Sequence, residues 1–351
     1  MRNTTTLERA SQAIGRLAAA DAAWPPVCHD LIPQLRRVIG FDSFCIAQND
    51  PLGLIPAAAL GDNHAISGNQ RLFWQIEMQQ PDVNKAFHLA QAPCPVAALS
   101  TATGGDLARS TRWHELLRPA GIGDELRAAL VAGGRWWGSV DLYRERRARP
   151  FTAEDVAALR RLTAPLAAVA RRGWTASRNP PPAVGGPGTL VTADGSQVTA
   201  TPAASRWLSR LEPAVQRSGT LIYALIARLG ATVVPYRQAD SVRSLIRAAD
   251  GLWLQLDAGR LMTGAGAGMV AITVQPARPD AVTELLLHAF MLTEREREVA
   301  GLVLAGRSTG DIGQELFLSR HTVADHIKAI FSKTSVHTRA QLARRLTGAC
   351  P

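Results

Sequence analysis

The chain has 351 residues, 46% of them hydrophobic, and a formal net charge of +10, which predicts about two to three folded domains rather than a disordered basic tail. The positive charge is almost all arginine and is spread along an alanine-rich chain, so only its local placement can point to nucleic acid. Cys28, Cys45, Cys94 and Cys350 form no close pair and no cluster with metal-ligand spacing, and no apolar run has bilayer length, which excludes a disulfide scaffold, a zinc site and a membrane partner and predicts a cytoplasmic protein.

In chain order, helical patterns run from about Leu7 to Ala20 and from Val27 to Ile39. Strands follow at Phe41 to Gln48, closed by the Asn49-Asp50-Pro51 turn, and near Leu54 to Leu60. A mixed, helix-bearing stretch covers Arg71 to Leu117. Leu126 to Ala132 and Trp136 to Tyr143 flank Gly133-Gly134, a hairpin signal. Thr152, with Glu154 and Asp155 behind it, opens a helix to about Arg171. The order predicts an antiparallel sheet bracketed by helices. It resembles a GAF-like domain, with Thr103-Gly-Gly-Asp-Leu-Ala-Arg-Ser-Thr-Arg-Trp113 and Gly121-Ile-Gly-Asp-Glu-Leu-Arg127 as the segments that carry the resemblance. Adjacent residues of a strand point to opposite faces, so one of Trp136 and Trp137 is expected in the core. The other is free for a pocket or an interface, where a small apolar effector could sit, although core packing is the plainer reading.

Residues 178–188 read Arg-Asn-Pro-Pro-Pro-Ala-Val-Gly-Gly-Pro-Gly, a linker that can continue neither helix nor central strand. Beyond it come a strand at Thr189 to Thr192, a turn at Asp194-Gly195, a short helix over Ala203 to Leu211 and a longer one over Pro213 to Leu229. Strands are expected at Ala231 to Tyr236, Gly251 to Leu256 and Met269 to Gln275. This order is PAS-like. Gly264-Ala-Gly-Ala-Gly268 lacks dinucleotide-loop spacing and precedes a strand, so it is a tight turn.

From Leu292 to about Leu346 four short helices are expected, each opened by a hydroxyl residue. Thr293 with Glu296, and Thr338 with Gln341, form capping boxes; Ser308 and Ser319 open the middle two helices, and Gly306 stands where a left-handed cap would fall. Helices this short, joined by tight turns, bury their apolar stripes only against one another, as in a helix-turn-helix unit. In the third, Val323, Ile327, Ile330 and Phe331 form the apolar stripe. His321, Asp325, Lys328 and Ser332 lie on the other side, with Ala324 beside them and Lys333 near the end. Small and polar residues near the start of a helix suit entry into a major groove. From Leu316 onward six basic residues (Arg320, Lys328, Lys333, Arg339, Arg344, Arg345) face one acid, Asp325, whereas the first helix carries Glu294, Glu296 and Glu298 and makes a poor phosphate face.

Leu292, Thr293, Arg295, Glu296, Glu298, Val299, Gly306, Ile312, Ser319, Thr322, Val323, His326, Ile327, Lys328 and Lys333 hold ungapped spacing with the LuxR/FixJ class of bacterial transcription regulators, which this segment resembles. The resemblance implies a four-helix DNA-binding domain whose third helix enters the major groove and whose fourth helps form a dimer. It implies that Ala324, Asp325 and Lys328 face bases, and that Thr322, Lys333 and nearby basic groups face phosphates; Ser319, Arg320 and His321 complete the expected DNA-binding set. Ala324 departs from the larger or basic residue common in the class. The segment is also similar to the DNA-binding region of sigma factors, but no promoter-melting region precedes it.

The expected architecture is therefore a multidomain α+β sensor region, GAF-like over 1–177 and PAS-like over 189–278, followed by an all-α LuxR-type helix-turn-helix domain over 285–351. Enzymatic readings find no support. His114-Glu115 lacks a second histidine at zinc-protease spacing, and the three lysines, Lys85, Lys328 and Lys333, allow no phosphate-binding loop and no phosphoacceptor receiver domain. No cofactor is expected. Expected partners are double-stranded DNA, a second copy of the chain, an unidentified small-molecule effector or protein, and RNA polymerase for an activator. The rival reading is a sensor or scaffold protein whose C-terminal helices mediate protein contacts.

Overall fold

Two amphipathic helices open the chain, α1 (Thr4–Ala19) and α2 (Trp24–Val38). The computed structural model describes residues 4–20, 24–62, 68–176, 180, 183–211, 220–231, 240–261 and 268–347. α1 buries Ala10, Ile14 and Ala18, a single stripe at helical spacing. After α2 come β1 (Ser43–Asp50), β2 (Ile55–Gly61), α3 (Gln70–Gln79), α4 (Ala86–Gln91), β3 (Val96–Ala98) and α5 (Leu99–Ala102). A π-turn covers Trp113–Leu117, followed by β4 (Ile122–Ala132), β5 (Arg135–Glu145) and α6 (Ala153–Thr175). The five strands form one antiparallel sheet in the order β2-β1-β5-β4-β3. Gly133 and Gly134 make the tight β4–β5 hairpin with φ of +57° and +70°, the left-handed pair such a turn needs. Thr152 and Asp155 cap α6 reciprocally.

Both tryptophans of β5 are core. Trp136 is 6% exposed and packs edge-on against Phe87, and Trp137 is fully buried. Their indole N–H groups donate to Gly138 O at 2.7 Å and Ala132 O at 2.9 Å. Neither ring is left at the surface.

Charge sits inside this sheet's packing. Arg127 on β4 donates from Nε to Asp141 at 2.8 Å and from Nη1 to Glu77 at 3.0 Å. Arg112 donates to Glu125 at 3.0 and 2.7 Å and to Asp82 at 3.3 Å. All six side chains are 5% exposed or less. Burial pushes the Glu77 carboxyl upward, but Arg127 and Arg112 more than offset it and hold it below its ordinary value.

The second sheet has the same strand order as the first. It contains β6 (Gly188–Thr192), β7 (Thr199–Ala200), β8 (Ser241–Arg247), β9 (Trp253–Leu261) and β10 (Met269–Pro276), arranged β7-β6-β10-β9-β8 and antiparallel throughout. Helices α7 (Pro202–Leu208) and α8 (Thr220–Leu229) pack with it. β8 was not expected. The strand expected at Ala231 to Tyr236 lies outside the described residues from 232 onward, as do residues 213–219 of the longer helix, 264–267 of the glycine turn, most of the proline run and Cys350.

Both sheets belong to one compact unit that runs to Pro276. At their seam the buried Asp50 carboxylate accepts from Leu52 N and Leu245 N, each at 2.9 Å. A Cβ on Gly53 would stand 2.5 Å from Arg243 O, so backbone meets backbone there. Trp174 stacks on Trp253 at 5.6 Å, Arg247 donates to Ala176 O at 2.6 Å, and Gln79 of α3 donates to Ala227 O of α8 at 3.2 Å.

The second unit begins at Ala277 and is all helix among the described residues: α9 (Pro279–Ala289), α10 (Glu294–Leu304), α11 (Thr309–Leu316), α12 (Arg320–Thr334) and α13 (Arg339–Thr347). α9 is the helix that Pro279 is expected to start on the way to Leu292, and it packs with the four short helices. It lies against α13, where Thr283 Oγ1 donates to Leu346 O at 3.0 Å and the Arg345 guanidinium stands 5.3 Å over the Phe290 ring.

Candidate nucleic-acid interface

Each of the four C-terminal helices opens as its sequence dictates. Thr293 Oγ1 accepts from Glu296 N at 3.3 Å while Glu296 Oε2 accepts from Thr293 N at 2.7 Å. Ser308 and Asp311 repeat the exchange at 3.2 and 3.1 Å, and Thr338 and Gln341 at 3.1 and 3.2 Å. Ser319 caps α12 by accepting from Thr322 N at 3.0 Å, and the two hydroxyls lie 2.8 Å apart. Gly306, at φ +78°, ends α10 in the left-handed conformation. Gly313 lets α11 meet the turn that leads into α12: a Cβ there would come 2.8 Å from Leu318 O.

The core of the unit holds Val299, Ala300, Val303, Ile312, Val323, Ile330, Leu342 and Leu346. α12 turns Val323, Ile330 and Thr334 inward, with Ile327 and Phe331 half-buried beside them. Its opposite face is exposed at Arg320, His321, Ala324, Asp325, Lys328 and Ser332. His321 Nε2 lies 3.6 Å from Asp325 one turn on, so the one acid of this face has a neighbour that tempers its charge when protonated. Thr322 is half-buried, with its hydroxyl turned to Ser319.

The cations divide into two groups that counting along the sequence cannot separate. Lys333 Nζ donates to Glu296 Oε2 at 2.6 Å and to Met291 O at 3.4 Å. Arg339 donates to Arg307 O and to Thr309 Oγ1, and Arg295 donates from Nη2 to Leu316 O at 2.5 Å. These groups are used within the unit. Lys328 and Arg344 are exposed and unpaired among the described residues, and Arg320 is exposed with an electrostatic neighbour in Asp311. Burial works to raise the Glu296 carboxyl, but the Lys333 ammonium and the Thr293 amide hold it below its ordinary value.

Residues 291–346 match the family model described as bacterial regulatory proteins, luxR family. GerE, a spore germination protein of Bacillus subtilis (strain 168), is 43% identical over 51 residues, 14% of this chain and 69% of that protein. The chain belongs to the luxR family. Residues 26–170 match the GAF domain, so the first sheet and its helices are the GAF domain of this family member. Two further relatives from the same organism share the C-terminal segment. The transcriptional regulatory protein DesR is 37% identical over 67 residues, 19% of this chain and 34% of that protein. The transcriptional regulatory protein LiaR is 44% identical over 52 residues, 15% of this chain and 25% of that protein. The chain thus spans between a quarter and about a third of the length of these two regulators.

Among the described residues no His, Cys, Asp and Glu cluster has the arrangement of a metal site, and no helix is long and apolar enough to cross a membrane. Cys28, Cys45 and Cys94 are free thiols. Burial pushes the Cys45 thiol up to about 12 and the Cys28 thiol higher still, so neither is a poised nucleophile.

Proposed function

We propose that this luxR-family chain is a sequence-specific DNA-binding transcription regulator. On this reading α12 enters the major groove and two copies of the chain bind as a dimer. The observation that carries it is the exposed face of α12, where Ala324, the neighbouring His321 and Asp325, and Lys328, unpaired among the described residues, stand opposite the buried stripe. A helix presenting its N-terminal half in this way fits the groove without steric obstruction. Ser319 and Arg320 stand at its start, where phosphates are met, and His321, Ala324, Asp325 and Lys328 reach base edges. Ala324 offers apolar contact to a thymine methyl, and Asp325 an acceptor for a cytosine amine. Contacts to phosphate supply affinity and salt dependence; the groove-facing side chains supply discrimination.

The GAF domain and the PAS-like second sheet act as the sensor region, responding to a small molecule or protein, and an activator form engages RNA polymerase. A PAS-like reading of the second sheet rests on its strand order and on the Asp194-Gly195 turn. The boundaries at 1–177, 189–278 and 285–351 are the functional divisions on this reading.

The test is selection of genomic fragments by the full chain, followed by the same selection with Lys328→Ala and Asp325→Asn. Each variant is expected to change which sequences are recovered, at about 1–3 kcal/mol per lost base contact. Recovery of the same fragments by wild type and both variants refutes this groove face. Absence of any retained duplex at low salt refutes DNA binding itself and favours the protein-contact reading.

A further inference from the structure

The first turn of α10 holds two neighbouring residues whose side chains grip the far ends of two other helices. Arg295 donates to Leu316 O, the last carbonyl of α11. Glu296 accepts from Lys333, in the last turn of α12, while the same oxygen closes the α10 capping box on Thr293 N. Lys333 also reaches Met291 O, in the turn that joins α9 to α10. Orphan carbonyls at a helix C-terminus favour a cation, and a charge-assisted bond to a mostly buried carboxylate is stronger than a neutral one. The Glu296 side chain is 7% exposed and that of Lys333 is 35% exposed. The ammonium is therefore engaged by Glu296 at the end of α12, whereas Lys328 has no partner among the described residues.

We propose that Lys333 is a positioning residue, not a phosphate contact: with Arg295 and Glu296 it sets the angle at which α12 is presented to DNA. α12 is held near its start by the close approach of its leading turn to Gly313 of α11, and at its end by Lys333 on α10, which Arg295 in turn ties to α11. Loss of the second point leaves α12 folded but free to pivot. A pivoting helix still meets phosphates, because charge is tolerant of direction, but loses the directed bonds to base edges. Lys333 also couples α12 to the end of α9, the helix by which the preceding chain enters this unit. The inference rests on the DNA-binding reading above and names a determinant of its specificity.

The experiment uses the full chain and four forms: wild type, Lys333→Met, Lys333→Arg and Glu296→Gln. Affinity is measured for a selected genomic duplex and for a random duplex across a series of KCl concentrations, with hydrogen exchange read at residues 291–296 and 330–335. For Lys333→Met the ratio of selected to random affinity is expected to fall several-fold, the salt slope to stay at the wild-type value, and exchange to rise at both segments. Lys333→Arg is expected to restore the ratio. Glu296→Gln keeps an acceptor for Thr293 N, so it should fold and lose the same ratio should Lys333→Met fold poorly.

A salt slope lower by about 0.9 in Lys333→Met, the signature of one lost phosphate contact, overturns the proposal. So does an unchanged affinity ratio, which reduces Lys333 to a stability element, and so does unchanged exchange. A wild-type chain that binds neither duplex defeats the DNA-binding reading instead, and the exchange comparison still reports whether the clamp exists.

Discussion

Arg127→Ala tests whether the buried ions of the GAF domain are matched as a set. The guanidinium holds Asp141 at 2.8 Å, Glu77 at 3.0 Å and the Asn84 carbonyl at 3.1 Å, and it is itself 2% exposed. Removing it leaves Asp141 without the cation that bonds it, and leaves Glu77 with the Ala86 amide at 2.6 Å and Arg112 at 4.0 Å. Breaking a buried pair by deleting one partner costs about 3–5 kcal/mol, most of it the penalty of stranding the other charge. The sign of the pH dependence follows from Glu77. Its folded value lies below the ordinary 4.5, so its stabilising contribution is present above that value and is lost as pH falls through the folded one. In the variant, burial of Glu77 goes unopposed by Arg127 and its carboxyl takes up a proton at higher pH. The deficit is therefore expected to be largest near neutral pH and smaller near pH 5. All eight tryptophans lie at or before Trp253, so urea unfolding followed by tryptophan fluorescence reads this unit alone. A loss below about 1 kcal/mol, or an equal loss at both pH values, refutes the argument.

Two further outcomes follow from geometry already described. Gly313→Ala drives a methyl group to 2.8 Å from Leu318 O, whose own amide is bonded to Gly313 O at 2.8 Å; overpacking of this kind costs about 1–3 kcal/mol. Helical circular dichroism of the full chain should lose part of its signal at a lower temperature, and melting identical to wild type would remove Gly313 from the account. Iodoacetamide at pH 8 should leave Cys28 and Cys45 unmodified in the native chain while both react after denaturation. Peptide mass spectrometry distinguishes the cases, and native modification of either thiol contradicts the upward shift that keeps it protonated.

What the sequence made legible was local. The capped helix starts at Thr152, Thr293, Ser308, Ser319 and Thr338 depend on residues three apart, and each is found where it was read. The Gly133-Gly134 hairpin is equally local, and so is the split of α12 into an apolar stripe and a polar face. What escaped depends on partners far along the chain. Glu77, Arg112 and Arg127 carry the signature of surface residues until the fold brings them together. β8 breaks its apolar alternation with Arg243 and Ser244, and its Leu245 amide is satisfied by Asp50, almost two hundred residues earlier. Lys333 looks like every other cation of a basic helix; only packing shows that Glu296 has claimed it. The helix from Pro279 was legible, but its packing on α13 was not, because Thr283 and Phe290 meet α13 only in three dimensions.

The seam between the two sheets bears on how such proteins can be assembled by recombination. A proline-rich stretch between two folded regions looks like a place where one module could be exchanged for another. Yet the β1–β2 turn brings Gly53 into backbone contact with β8, Asp50 supplies an acceptor to that strand, and Trp174 is stacked on Trp253. A foreign second sheet grafted after residue 188 would leave a buried carboxylate without Leu245 N and a tryptophan face without its partner. The heritable unit is then the pair of sheets together, and a natural place to exchange parts is the passage from Pro276 into α9.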